Sequence, residues 1–192
     1  MILSAIKYTR YAGEPREWYI EGHNGSYASF GNINLMVGKN ASGKSRTLNV
    51  IREIAYLLSG KITVKQTMVA TQQFDLIFQD KETQYRYLLD IKDRVIAKEI
   101  LYIGGKEYLN REKKSLTDAD GNIVSIEVED IELAITKAGD EDISQFSTLL
   151  KWAKSMRNYL FANQLEKKKL VADYTKTNGV NGDVDDMNCL VD

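Results

Sequence analysis

Gly38, Gly43, Lys44 and Ser45 stand at the spacing G-x-x-x-x-G-K-[ST], the pattern of a loop that grips phosphate. A triphosphate concentrates several negative charges in a small volume, so such a loop must turn backbone N–H groups inward. Residues without bulky side chains allow that, and Gly38, Ala41, Ser42 and Gly43 meet the demand. A helix starting near Lys44 would bring its positive end to the same place. Lys44 would then reach the β- and γ-phosphates as the catalytic cation, and the Ser45 hydroxyl would ligate Mg2+. The spacing predicts a nucleotide and Mg2+ site made by Gly38, Lys39, Asn40, Ala41, Ser42, Gly43, Lys44, Ser45 and Arg46.

A loop of this kind works between a strand that leads in and a helix that leads away. Ile33, Leu35, Met36 and Val37 form a nearly continuous apolar run that Gly38 ends. That pattern predicts a strand buried on both faces of a sheet. From Ser45 the period changes: Leu48, Ile51, Ile54, Ala55 and Leu58 recur at helical spacing, and Gly60 stands at the expected stop. Upstream, Ile2–Tyr8 and Trp18–Ile20 read as short strands turned at Ala12, Gly13, Glu14 and Pro15.

The middle of the chain differs in kind. Phe74–Phe78, Tyr85–Ile91, Val95–Ile103 and Ile123–Val128 read as strands joined by polar turns, Asp120-Gly121-Asn122 among them. Tyr85, Tyr87, Leu89 and Ile91 fall on one face, with Gln84, Arg86 and Asp90 on the other. Strands this close together imply an antiparallel meander. Helical spacing returns in Ile143, Phe146, Leu149, Leu150 and Ala153, with Asp142 as N-cap. Arg157–Ala162 reads as a further strand, Lys167–Lys169 as a basic helical or frayed segment, and Thr175–Asp186 as a loop.

Composition narrows the class. The 192 residues are 43% apolar and 28% charged with a formal charge of -1, so net charge draws the chain to no nucleic acid. Cys189 is the only cysteine and His23 the only histidine, which excludes an intrachain disulfide and His-rich metal sites and suits a cytoplasmic setting. No run approaches the roughly 20 apolar residues of a membrane span.

Asn40 within GKNASGKS, after INLMV, resembles the ABC-type ATPases of the SMC and RecF group. The likeness is closest to the stand-alone prokaryotic AAA ATPases related to OLD nucleases, found in phage-defence loci. It covers the opening strands, the loop and its helix, the meander and, more loosely, the helix near Leu149-Leu150-Lys151-Trp152. Ala41 stands where the commoner pattern has glycine, and Arg46 where it has Thr or Asn.

The resemblance implies an α/β, P-loop NTPase fold: an N-terminal lobe over 1–192 with an antiparallel β subdomain at 63–130. Strands, loop and helix would fill 1–62, a helical segment 131–174 and a loop 175–192. It implies that two heads, as a homodimer or with a completing chain, enclose ATP, with an effector protein as a further partner. Such heads need a signature loop, an Asp-Glu strand and a switch histidine. Leu58-Ser59-Gly60-Lys61 reads instead as a helix stop, and Cys189-Leu190-Val191-Asp192 lacks the Glu. The expectation is therefore a lobe of a longer or partnered ATPase that binds ATP·Mg2+ and turns it over weakly alone.

The glutamine that senses Mg2+ in such ATPases would be Gln164, with Gln145 second. Tyr11 or Trp18 could stack on a base and Arg10 could meet ribose or phosphate, though packing and solvation account for all three. Lys167–Lys169 could touch nucleic-acid phosphates, but no aromatic residues are interleaved with them. Two rivals stand beside this reading: a complete small P-loop kinase, and a non-hydrolysing nucleotide-sensing scaffold.

Overall fold

In a computed structural model of the chain, residues 1–118, 120–140 and 144–157 are described. The chain divides into Met1–Lys154 and Ser155–Asp192, and nearly everything described lies in the first unit.

Among the described residues nine strands form one sheet: β1 (Ile2–Arg10), β2 (Trp18–Ile20), β3 (Ala28–Ser29), β4 (Gln72–Asp80), β5 (Thr83–Lys92), β6 (Val95–Ile103), β7 (Lys106–Asn110), β8 (Ser115–Thr117) and β9 (Ile123–Ser125). Their order is β2-β1-β4-β5-β6-β7-β8-β9, and β3 pairs with β1 beside β2. Every pairing is antiparallel. The meander follows from alternation. Tyr85, Tyr87, Leu89 and Ile91 are buried on one face of β5, while Gln84 and Arg86 are exposed on the other. Between β8 and β9 the backbone closes through Asp118 and Asn122, with Gly121 at φ 87° in the predicted turn.

Among the described residues three α-helices pack onto this core: α1 (Lys44–Ser59), α2 (Ala134–Asp140) and α3 (Ser144–Ser155). Val50, Ile54, Leu57 and Leu58 of α1, Ala134, Ile135 and Ala138 of α2, and Phe146, Leu149 and Ala153 of α3 join Ile6, Phe74, Leu76, Tyr87 and Leu101 of the sheet in one apolar cluster. Trp152 meets Phe78 edge to face at 4.7 Å. Helix α1 enters this core only from Val50, so Leu48, on the predicted apolar face, is left exposed. No helix among the described residues is long and apolar enough to cross a membrane.

Two expectations are corrected. The molecule does not have the α/β fold of a P-loop NTPase; it is a mostly antiparallel sheet with few helices. A parallel sheet needs a crossover, usually helical, between paired strands. Here β4 to β9 follow one another through short turns, and the strands flanking α1 share no parallel pairing. Residues 33–37 are not a buried strand either. Ile33, Leu35 and Val37 are 95%, 87% and 78% exposed, and the segment forms no backbone–backbone hydrogen bond with the described residues. Apolar side chains make a strand only where a neighbour offers a free edge. One edge of β1 is taken by β2 and β3 and the other by β4. The segments 157–162, 167–169 and 175–186, and the residues Asp142 and Gln164, lie outside the described residues.

Candidate functional site

The loop that follows this segment turns sharply at two places. Ala41 has φ 64° and Gly43 φ 95°, both left-handed, and α1 begins at the next residue. Gly43 is the N-cap and no side chain caps the helix, so the N–H groups of its first turn have no side-chain acceptor. Left-handed backbone is ordinary for glycine and strained for alanine by roughly 1–2 kcal/mol. Ala41→Gly should therefore raise stability by about 1 kcal/mol, read as a higher urea midpoint at constant m-value. A midpoint that falls would show that the loop does not hold this conformation.

Lys44 curls back over the loop. Its ammonium donates to the Gly38 carbonyl and to the Lys39 carbonyl, both at 2.7 Å, and lies 3.4 Å from Ser42 Oγ. The two limbs of the loop are thereby tied together by one cation. Residues 38–42 and Ser45 are exposed, and Gly43 and Lys44 are half-buried. Asn40 and Arg46 are exposed as well. The structure thus brings the nine sequence-predicted loop residues into one turn open to solvent.

Charge is one-sided here. No acidic residue occurs between Glu21 and Glu53, a stretch that carries Lys39, Lys44, Arg46 and Arg52. Cations at a helix N-terminus oppose the helix dipole, and the first turn of α1 contains no acid to offset them. An anion seated on the loop would remove that conflict. This asymmetry is visible in the sequence alone.

Deeper in α1, a polar path ties the helix to the sheet. Tyr8 donates its hydroxyl to Gln72 at 2.8 Å, Gln72 donates to Glu53 at 2.6 Å, and the Met68 backbone N–H donates to Glu53 at 2.9 Å. Burial pushes the Glu53 carboxyl up from its ordinary value, against the hydrogen bonds from Gln72 and Met68. It also pushes the Tyr8 hydroxyl up, with Glu53 adding to the effect.

The remaining predicted residues are scattered. Gln145 donates to the Asp118 carbonyl at 3.2 Å, beside the β8–β9 turn at the sheet edge opposite β2. Trp18 carries the guanidinium carbons of Arg46 and Arg10 at 5.0 and 5.4 Å from its ring centroid, and Tyr11 carries that of Arg16 at 3.6 Å. Neither aromatic ring is a bare platform. Among the described residues no group of three or more His, Cys, Asp and Glu could hold a metal ion.

Compared with known proteins, the chain matches no family model and no curated protein.

Proposed function

We propose that this chain binds ATP with Mg2+ through Gly38–Ser45 and is the nucleotide-binding part of an ATPase that works by head association, resembling the ABC-type SMC and RecF group. The observation that carries the reading is the uncapped N-terminus of α1 behind a left-handed loop, with Lys44 folded over it and no acidic residue in the first turn or anywhere between Glu21 and Glu53 in the sequence. Backbone N–H groups and the helix dipole would receive the phosphates. Lys44 would exchange its two carbonyl partners for phosphate oxygens, and the Ser45 hydroxyl would meet the cation. Mg2+, held by the Ser45 hydroxyl, would supply neutralisation of the phosphate charge.

The exposed run Ile33, Leu35 and Val37 supports a partner. Three large apolar side chains at alternate positions, with no backbone pairing among the described residues, suit a strand donated by a completing chain or a second head. An effector protein belongs to the same reading. The small-kinase rival needs parallel strands between helices, and the described sheet has none.

Calorimetric titration of the chain with Mg·ATP tests the proposal. Saturable binding is expected, and ligand at about 100 times Kd should stabilise the fold by about 2.7 kcal/mol. Absence of binding at millimolar ATP would refute it. Steady hydrolysis by the chain alone at about 1 per second would refute the requirement for a partner.

A further inference from the structure

Trp18 lies 25 positions before Gly43 in sequence and against it in space. A β-carbon built on Gly43 would stand 3.5 Å from Trp18 Cζ2 and 3.8 Å from Nε1, so the indole edge covers the residue that opens α1. The same indole meets Tyr8 edge to face, with ring centroids 5.9 Å apart. Tyr8 leads through Gln72 to Glu53, three turns further along the same helix. Helix α1 is thereby held at two points, its N-cap by Trp18 and its middle by Gln72. The guanidinium of Arg46, in the first turn, lies over the Trp18 ring.

Backbone at φ 95° has little conformational preference of its own in glycine. Thr47 holds the Gly43 carbonyl from within the helix, and the three heavy atoms nearest a β-carbon built on Gly43 all belong to the Trp18 indole. Resting on the reading of Gly38–Ser45 as a phosphate site, we propose that Trp18 is the positioning residue of that loop. Its indole holds Gly43 in the left-handed conformation that aims the first N–H groups of α1 at the ligand, and keeps Arg46 beside the same opening. Trp18 on this account acts on phosphate and not on a base. The rigid aromatic shape is what matters, so phenylalanine substitutes for it and alanine does not.

Two ligands separate this role from base stacking: Mg·ATP, and inorganic tripolyphosphate with Mg2+, which has no base. Trp18→Ala is expected to weaken both by the same factor, about tenfold for 1.4 kcal/mol of lost preorganisation. Trp18→Phe is expected to restore both to within about threefold of wild type on the same scale. Loss confined to ATP would overturn the proposal in favour of stacking, and unchanged affinity for both would overturn it outright. A wild-type chain that binds neither ligand would overturn the phosphate-site reading and this inference with it.

A second measurement leaves Trp18 in place. The chain has two tryptophans, so Trp152→Phe leaves Trp18 as the sole reporter. Its emission is expected to shift saturably with tripolyphosphate, at the Kd found by calorimetry. An emission that stays constant while calorimetry shows binding would overturn the proposal.

Discussion

Lys44→Ala should abolish measurable Mg·ATP binding while leaving thermal unfolding where it is in the wild-type chain. The two halves of that expectation come from different contacts. In the folded chain the Lys44 ammonium bonds only exposed backbone carbonyls and a hydroxyl of its own loop, at 2.7, 2.7 and 3.4 Å. Water satisfies those acceptors when the side chain is removed, so the loss to stability is within about 0.5 kcal/mol. On the proposed reading, the same ammonium would face two phosphates of a bound triphosphate. Charge-assisted hydrogen bonds there contribute about 1.5–3 kcal/mol each. Losing one weakens binding by roughly 10–150-fold and losing two by more.

Calorimetry on wild type and variant at equal Mg2+ measures the difference, and a melting curve checks the fold. An affinity within threefold of wild type would remove Lys44 from the site. Lys44→Arg keeps the charge but carries a planar fork where a point charge is wanted. It should recover only part of the affinity.

That the loop was legible in the sequence and its setting was not has a physical basis. Gly38, Gly43, Lys44 and Ser45 lie within eight consecutive residues, and the helix after them is set by local periodicity. The faces of β5 were legible for the same reason, since Tyr85 to Ile91 alternate within one strand. Residues 33–37 failed because a strand is defined by a neighbour. Their composition says that they are ready to pair and says nothing about whether an edge is free. The fold class failed with them: an α/β P-loop fold was expected from a resemblance centred on one loop, while the pairing of β1 with β4 spans more than sixty positions. Trp18 against Gly43 was beyond reach because it is a contact between a strand and a helix cap, and a bulky residue in an edge strand carries no mark of what it covers.

Glu99 makes the same point with larger energies, because VIAKEILYI reads as a strand whose single acid could face either way. It faces in and is 0% exposed. Its carboxylate accepts the backbone N–H of Ala134 at 2.7 Å, that of Ile135 at 3.0 Å and the Tyr87 hydroxyl at 3.0 Å, with Arg111 at 3.6 Å. Arg111 in turn donates to the carbonyls of Glu132 and Glu129. One buried acid from β6 thus caps α2 and, with Arg111, clamps the segment leading into it. Glu99→Ala strands three buried donors and a guanidinium and should cost about 3–5 kcal/mol. That is a large share of the 5–15 kcal/mol typical of a domain.

Glu99→Gln keeps the size and one acceptor, so its deficit is smaller and its pH dependence is the more telling measurement. Burial is the largest influence on the Glu99 carboxyl and raises it above the ordinary value, against the hydrogen bonds from Ile135, Ala134 and Tyr87. An acid raised in the folded state holds its proton there while the unfolded chain has already lost it. Wild-type stability from this group is therefore fully present below the unfolded value and falls as pH rises through the folded one. Glutamine has no proton to lose, and every other titrating group is common to both chains. The gap between wild type and Glu99→Gln should accordingly be widest in acid and narrow as pH rises from the ordinary glutamate value, in urea titrations run side by side. A gap that stays constant or widens would mean that the ionised carboxylate is the form this core prefers, with the three donated hydrogen bonds outweighing burial.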